Sequence, residues 1–258
     1  MLRFCSLGSG SEGNALVVEA GDELHRNRVL VDDGFSPRQL ERRLAAVGLG
    51  PSDLDAICVT HEHADHVSGV TAFARRHALP IYASAGTAEA ACLHEPDLVV
   101  QVLVSGHTQV IGTLQIEPYA VPHDAAEPTQ FVFSDGARRF GLLTDIGAPA
   151  LDVIAALGVL DALMLECNHD TALLAASAYP PFLKARIGGE YGHLSNDQAA
   201  QLLAALPHER LRVVVAAHLS RRNNTAELAR AALAQVLGAV PLEVDVADQD
   251  CGIAWRCA

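Results

Sequence analysis

Ala56-Ile57-Cys58-Val59-Thr60-His61-Glu62-His63-Ala64-Asp65-His66 is an apolar run that ends in a cluster of metal-ligand side chains. Its first five residues read as a buried strand that delivers the chain straight into the polar cluster. In extended backbone, residues i and i+2 point the same way, so His61 and His63 can close on one ion. Asp65 and His66 follow where the chain turns into a helix, expected over residues 67–78, and can face a second ion. Neutral imidazoles with a carboxylate suit Zn²⁺, with Mn²⁺ or Fe²⁺ as further options. The plain alternative is a polar loop with accidental histidines; ligand types packed this densely behind a buried strand make it a poor one.

Two ions need more donors than this loop supplies. His123 in Val121-Pro122-His123-Asp124-Ala125, Asp145 after a strand and His218 after another are the candidates. Alone, each would be read as a surface or hydrogen-bonded group. Beside the cluster, the expected arrangement puts His61, His63 and His123 on one ion and Asp65, His66 and His218 on the other, with Asp145 bridging. A weak internal echo supports the convergence. Strand-then-Asp-x-Gly occurs at Val31-Asp32-Asp33-Gly34 and Thr144-Asp145-Ile146-Gly147, and strand-then-His at Thr60-His61 and Ala217-His218. Two similar α/β halves would bring such strand ends to one edge.

Outward from these residues, strand and helix signals alternate without a linker or low-complexity tract. Strands are expected at 2–6, 15–20, 28–32, 161–166, 211–217, 242–246 and 252–256, and a block at 98–144 reads as several antiparallel strands. Helices are expected after Ser36-Pro37 and at 149–157, 196–206 and 225–237, with Ser195 and Gln198 as a capping box. The chain of 258 residues, half of them hydrophobic, fits one domain spanning 1–258. It lacks a run long enough to span a membrane and an apolar leader, so a cytoplasmic protein is expected. Its six cysteines form no C-x-x-C pair and read as buried free thiols. A net charge of −13 argues against coating nucleic acid by bulk electrostatics, yet not against local grip on a phosphate. The bias to Arg, with Lys184 the only lysine, carries no functional reading.

H-x-H-x-D-H after a strand, followed by a later His, Asp and His, resembles the ligand order of the metallo-β-lactamase superfamily, and the resemblance covers nearly the whole chain. It implies a four-layer αββα sandwich of the α/β (α+β) class. Within the superfamily the chain looks most like the YycJ-like (WalJ-like) exonucleases. The opening Ser6-Leu7-Gly8-Ser9-Gly10-Ser11-x-Gly13-Asn14, the stretch Glu166-x-Asn168-His169-Asp170, Gly192-His193-Leu194-Ser195-Asn196, and His218-Leu219-Ser220 with Asn223-Asn224 carry that likeness. Asp33 departs from it, since many relatives have Cys there. From these motifs Ser9, Asn14, His169, Ser220 and Asn223 are the expected substrate contacts, with His169 equally readable as a site wall.

Gly192-His193-Leu194-Ser195 also resembles the segment of ribonuclease Z that carries its proton-donating histidine, with Glu166 as the acidic partner. His193 would then contribute about 10²–10⁴-fold as a general acid, and its plain alternative is a histidine capping a helix. Asp32 is expected to brace a ligand rather than touch metal. Gly8-Ser9-Gly10-Ser11-Glu12-Gly13 matches G-x-G-x-x-G, but residues 14–19 read as a strand where a dinucleotide site needs a helix. A tight turn beside the metal edge is the better reading, with a donor nest for phosphate the weaker one. Arg221, Arg222, Lys184 and Arg186 either meet backbone phosphates or form ordinary surface charge pairs. His25, His77, His94, His107 and His208 have no partner pattern and read as structural or solvent-facing.

Two divalent ions bring +4 and the ligands Asp65 and Asp145 return −2, a locally cationic shell that suits a phosphodiester. The resemblance thus implies a nuclease, most of all a 5′-to-3′ DNA exonuclease with RNA as a close variant, using a hydroxide bridging two metal ions. The alternatives are a hydrolase of small esters, thioesters or lactams on the same site, and a sensor that retains only the fold.

Overall fold

Why the strands stack in two sheets is visible in their alternation. The computed structural model describes residues 1–22, 24–238 and 243–258. One sheet carries β1 (Leu2–Gly8), β2 (Ala15–Gly21), β3 (Arg26–Val31), β4 (Ala56–Cys58), β5 (Ile81–Ala83) and β6 (Val100–Val102). The other carries β7 (Gln109–Ile111), β8 (Leu114–Ala120), β9 (Thr129–Ser134), β10 (Arg139–Leu143), β11 (Ala162–Glu166), β12 (Val213–Ala217) and β13 (Asp245–Val246). A last strand, β14 (Ile253–Cys257), returns to the first sheet beside β1. Each described sheet thus has seven strands, in the orders β14-β1-β2-β3-β4-β5-β6 and β13-β12-β11-β10-β9-β8-β7.

Successive residues of each strand point to opposite faces. Leu16, Val18, Val29, Val31, Cys58, Phe131, Phe133, Leu142, Met164 and Val215 fill the core between the sheets. Phe4 stacks on Phe140 across that gap, with ring centroids 3.9 Å apart. Their alternate neighbours Val17, Leu30 and Ile57 face outward under α1 (Pro37–Ala46) and the helices after β4. On the opposite side Leu143, Leu163, Leu165 and Ala216 face outward under α5 (Leu151–Leu157), α8 (Asn196–Ala205) and α9 (Ala226–Leu237). Helix, sheet, sheet, helix is therefore the layering, as expected. Ser195 begins α8 with a full capping box, and at the start of α1 the Ser36 amide donates to the Gln39 side chain at 3.0 Å.

Several expectations need correction. The helix expected at 67–78 is two, α2 (Ala64–Val67) and α3 (Val70–His77), because the Gly69 amide leaves the helical ladder to donate to the Asp33 carbonyl at 2.8 Å. Within the block 98–144, β6 belongs to the first sheet and pairs parallel with β5; only β7 to β10 form the antiparallel run. The strand expected at 242–246 is ordered as Asp245–Val246, and Leu242 lies outside the described residues. Cys92, Cys251 and Cys257 are exposed, leaving Cys5, Cys58 and Cys167 as buried thiols; all six are free. Among the described residues no helix is long and apolar enough to cross a membrane.

The internal echo is half structural. β3 and β10 each lie between an antiparallel neighbour and a parallel one, so Asp32 and Asp145 end equivalent strands. The histidine echo is not topological, since β12, which precedes His218, corresponds to β5 and not to β4. All these carboxyl ends share one edge, where crevices in parallel sheets hold ligands.

Candidate metal centre

The site is built on strand ends held in an uncommon backbone conformation. Asp32, Asp145 and His218 have φ of 60°, 52° and 54°, in the left-handed region. Each such residue costs about 1–3 kcal/mol and persists only where its surroundings over-determine it. The glycines of the two Asp-x-Gly turns serve close approach. A Cβ on Gly34 would meet the Asp65 carbonyl at 1.8 Å, and one on Gly147 would meet that of Glu190 at 2.2 Å. Bare backbone there lets both turns press against the loops that carry donors.

Nine side chains gather at this edge in overlapping groups, the seven expected donors with Glu166 and His193, which join Asp145 and His218 in one of them. His61, His63 and His123 form one set, Asp65, His66 and His218 another, and His61, His66 and Asp145 join them; within each set the donor atoms lie within 4.8 Å. In both triads the inward atom of each imidazole is selected by what the outward nitrogen binds. His61 Nδ1 lies 3.0 Å from Thr60 Oγ1, His63 Nε2 lies 3.2 Å from the Asp124 carbonyl, and His123 Nδ1 lies 2.9 Å from the Gly192 carbonyl. His66 Nδ1 donates to Asp32 at 2.8 Å and His218 Nδ1 to Glu166 at 3.1 Å. Asp32 also accepts from the Thr60 amide and hydroxyl, both at 2.8 Å, so its geometry is that of a brace. Outward partners of this kind fix the tautomer and aim of a metal-binding histidine.

His61 Nε2, His218 Nε2 and Asp145 Oδ2 are buried without a hydrogen-bond partner. Orphaned buried polar atoms are costly, and here they converge. Burial would raise the Asp145 carboxyl, yet His218 and His66 hold it far below the usual range. Burial would likewise lower His66 and His218. Instead Asp145, Asp32 and Asp65 carry His66 well above its ordinary value, and Asp145, together with nearby Asp65 and the hydrogen bond from His218 to Glu166, pushes His218 up to about 10. Burial and the neighbouring His66 keep His61 low and neutral. The carboxylates thus draw protons into a place that a cation would fill, displacing those protons. These residues fit divalent metal ions.

Above the donors lies a cleft of about 280 Å³ lined by Ser11, His63, Asp65, Asp124, Asp145, Arg186 and His193, among others. His193 Nδ1 donates to Glu166 Oε1 at 2.8 Å, which leaves Nε2 for the cleft; the side chain caps no helix. Burial opposes its charge, but Glu166 and then Asp145 raise its pKa. Glu166 itself is held at about 2, against burial, by His193 and His218. Its second oxygen accepts from the Ile146 and Leu194 amides at 3.0 and 3.2 Å. One buried carboxylate therefore orients both histidines.

The expected substrate contacts are not brought into this cleft. Ser9 accepts the His218 amide at 2.9 Å and so holds the loop behind that donor, whereas the Asn14 amide nitrogen sits among the donors themselves, 3.0 Å from His66 Nε2 and 3.3 Å from the Asp65 carboxylate. Asn223 is fully buried against Ser220, and Ser220 lines a different hollow, beside α9. His169 is buried and faces a separate hollow behind α6 (Thr171–Ala176) and α7 (Pro181–Ile187). The Gly-rich opening is no phosphate nest: the amides of Gly8, Ser9, Gly10, Glu12 and Gly13 already donate within the protein. Strand β2 follows it directly.

Among the basic candidates, Arg221 pairs with Asp250 and Glu12, Arg222 lies over Tyr179, and Lys184 donates to the Ala175 carbonyl. Arg186 alone of these lines the cleft, tethered to Asp124 at 2.6 Å. Sequence reasoning passed over Asp124, whose carboxylate lies 3.5 Å from His123 Nε2; its place directly after His123 was the available signal. His25, His77, His94, His107 and His208 lie outside the donor sets, with local partners.

A family model described as "Beta-lactamase superfamily domain" matches residues 27–218. The exodeoxyribonuclease WalJ of Streptococcus pneumoniae is 33% identical over 249 residues, covering 95% of this chain and 91% of that protein. The exodeoxyribonuclease YycJ of Bacillus anthracis is 34% identical over 239 residues, covering 92% and 89%. Among solved structures, the metallo-β-lactamase fold protein YhfI from Bacillus subtilis superposes with a TM-score of 0.75 over 99% of this chain and 98% of that one, at 17% identity. A family match over most of the chain, carried through to relatives of nearly the same length, makes this protein a member of the β-lactamase superfamily and a metal-dependent hydrolase.

Proposed function

We propose that the protein is a nuclease that trims DNA from the 5′ end, working with two divalent ions, Zn²⁺ or Mn²⁺. The observation that carries this reading is the pair of braced donor triads meeting at Asp145 under a cleft that His193 overlooks. His61, His63 and His123 would hold one ion, Asp65, His66 and His218 the other, with Asp145 shared. When bound, such ions supply Lewis acidity and an activated water.

The remaining chemistry belongs to the chain. Asp65, with one side toward His218 Nε2 at 3.5 Å and an edge on the cleft, orients the attacking water. Arg186 offers the cleft a fixed guanidinium for a phosphate oxygen. His193, kept protonated by Glu166, delivers a proton from Nε2 to the departing sugar oxygen. The cleft is lined mainly by charged and polar groups, which favours a phosphodiester over the apolar small molecules that greasy pockets take. The names of WalJ and YycJ support DNA and an exonucleolytic mode, and the polarity rests on the sequence resemblance.

The test incubates purified protein with 5′-labelled DNA and RNA, single- and double-stranded, across Mn²⁺, Zn²⁺ and chelator. Mononucleotide release that depends on metal and starts at the 5′ end is expected. Inertness on every strand, with turnover of a thioester or lactam, would replace this reading by the small-molecule one.

A further inference from the structure

Between Asp170 and Glu190 the chain contains no acidic residue, although the protein as a whole carries a net charge of −13. This stretch forms α6 and α7, and α7 walls one side of the cleft through Arg186 and Ile187. Phe182 within it and Tyr191 just past its end display aromatic rings to solvent. Phe182 is 74% exposed and Tyr191 61% exposed. Exposed single apolar residues are ordinary, but Phe182 lies one helical turn from Arg186 and Tyr191 directly precedes Gly192, and Arg186 and Gly192 both line the cleft. Phe182 and Arg186 are four residues apart on α7, hence on one face, and Tyr191 lies two residues before His193.

The Tyr191 ring is free while its backbone is clamped. Its carbonyl accepts the Asp124 amide at 3.0 Å, the Gly192 amide donates to Gly189 at 2.9 Å, and the His193 amide donates to Ile187 at 2.8 Å. Gly147, two residues past Asp145, packs so tightly beneath that a Cβ there would meet the Tyr191 nitrogen at 2.5 Å. No hydrogen bond or ring contact engages the Tyr191 side chain among the described residues. A flat ring on a rigid mount, next in the chain to the cleft-lining Gly192 and His193, is a prepared surface rather than core left uncovered.

We propose that Tyr191 is a stacking platform for a nucleobase freed at the end of the bound strand, with Phe182 a second ring one helical turn from Arg186. The inference rests on the nuclease reading and adds a residue that holds the end of the substrate. An aromatic face holds any base, but only one freed from its own stack, whereas bases inside a duplex keep their faces covered. Arg186, on the same face of α7 as Phe182, supplies the cation that strand-binding grooves set along the backbone while rings take the bases.

Steady-state cleavage of a single-stranded DNA oligonucleotide tests this, using wild type, Tyr191→Ala and Tyr191→Phe, on a normal strand and on one with abasic residues at its 5′ end. Tyr191→Ala should raise KM about 5- to 30-fold on the normal strand with kcat little changed, and Tyr191→Phe should behave as wild type. The abasic strand should raise the wild-type KM by a similar factor and erase the difference between wild type and Tyr191→Ala. Equal KM values for all three proteins on the normal strand, or the same loss for Tyr191→Ala on both strands, would overturn the stacking role while leaving the nuclease intact. A wild type that cuts no nucleic acid would instead remove the nuclease reading, and this inference with it.

Discussion

Replacing His193 by Ala separates proton delivery from everything else the site does. His193 touches none of the seven clustered donors through a hydrogen bond; its Nδ1 is engaged by Glu166 at 2.8 Å. Its removal should therefore leave metal content unchanged. A positioned general acid contributes about 10²–10⁴-fold, equivalent to about 3–5 kcal/mol of barrier. That contribution matters only where the leaving oxygen needs a proton. His193→Ala should thus slow cleavage of DNA, whose leaving group is a sugar alkoxide, by about 10³-fold, and cleavage of a p-nitrophenyl phosphodiester by less than about 10-fold. Single-turnover rates on both substrates, beside metal analysis of each protein, provide the measurement. The sign of the pH effect follows from the same contact. The acid must be protonated, so the rate falls as pH rises through its pKa, and Glu166 raises that pKa. Glu166→Gln should shift the descending limb to lower pH. Equal losses on the two substrates, or loss of metal from His193→Ala, would refute the assignment.

Three further outcomes follow from other parts of the molecule. Asp65→Ala should abolish hydrolysis and reduce bound metal while leaving the circular dichroism spectrum and cooperative melt in place, because the Asp65 side chain is part-exposed and lies outside the packed cores. Asp33 is buried, and burial raises its pKa to about 7, with only the Phe35 amide opposing. The folded protein therefore holds a proton that the unfolded chain releases, and stability should fall as pH rises from about 4 to 7 and level off above; Asp33→Asn should flatten that slope in denaturant titrations. Glu19 is buried between Arg3 and Arg28, each donating at 2.6 Å, so Glu19→Ala should cost about 2 kcal/mol and lower the Tm by about 4–8 °C with activity unchanged.

What could be seen in the sequence was whatever depends on period and neighbourhood along the chain. The two-residue repeat of the strands, the serine caps of α1 and α8, and the dense run from His61 to His66 are local patterns. His123, Asp145 and His218 could be singled out because each ends an apolar stretch, and the structure gathers them beside that run. Orientation was not legible. Ser9, Asn14, Ser220 and Asn223 carry the same polar groups whether they face a cleft or hold a loop, and only the three-dimensional partners distinguish these. The parallel pairing of β6 was hidden for a related reason, since alternation gives a face and not a partner strand. The exposed ring of Tyr191 was hidden too, because a tyrosine in sequence gives no sign of which side is covered.

The left-handed turns at Asp32, Asp145 and His218 bear on how the protein acquires its ions. Hydrogen bonds pin two of them, the Asp32 amide donating to the Cys58 carbonyl at 2.8 Å and the His218 amide to Ser9 at 2.9 Å, so contacts within the protein hold the shape of the receptacle. Loading then demands little rearrangement of the chain, and an ion lost to a competing chelator leaves behind a vessel ready to be refilled rather than a collapsed one.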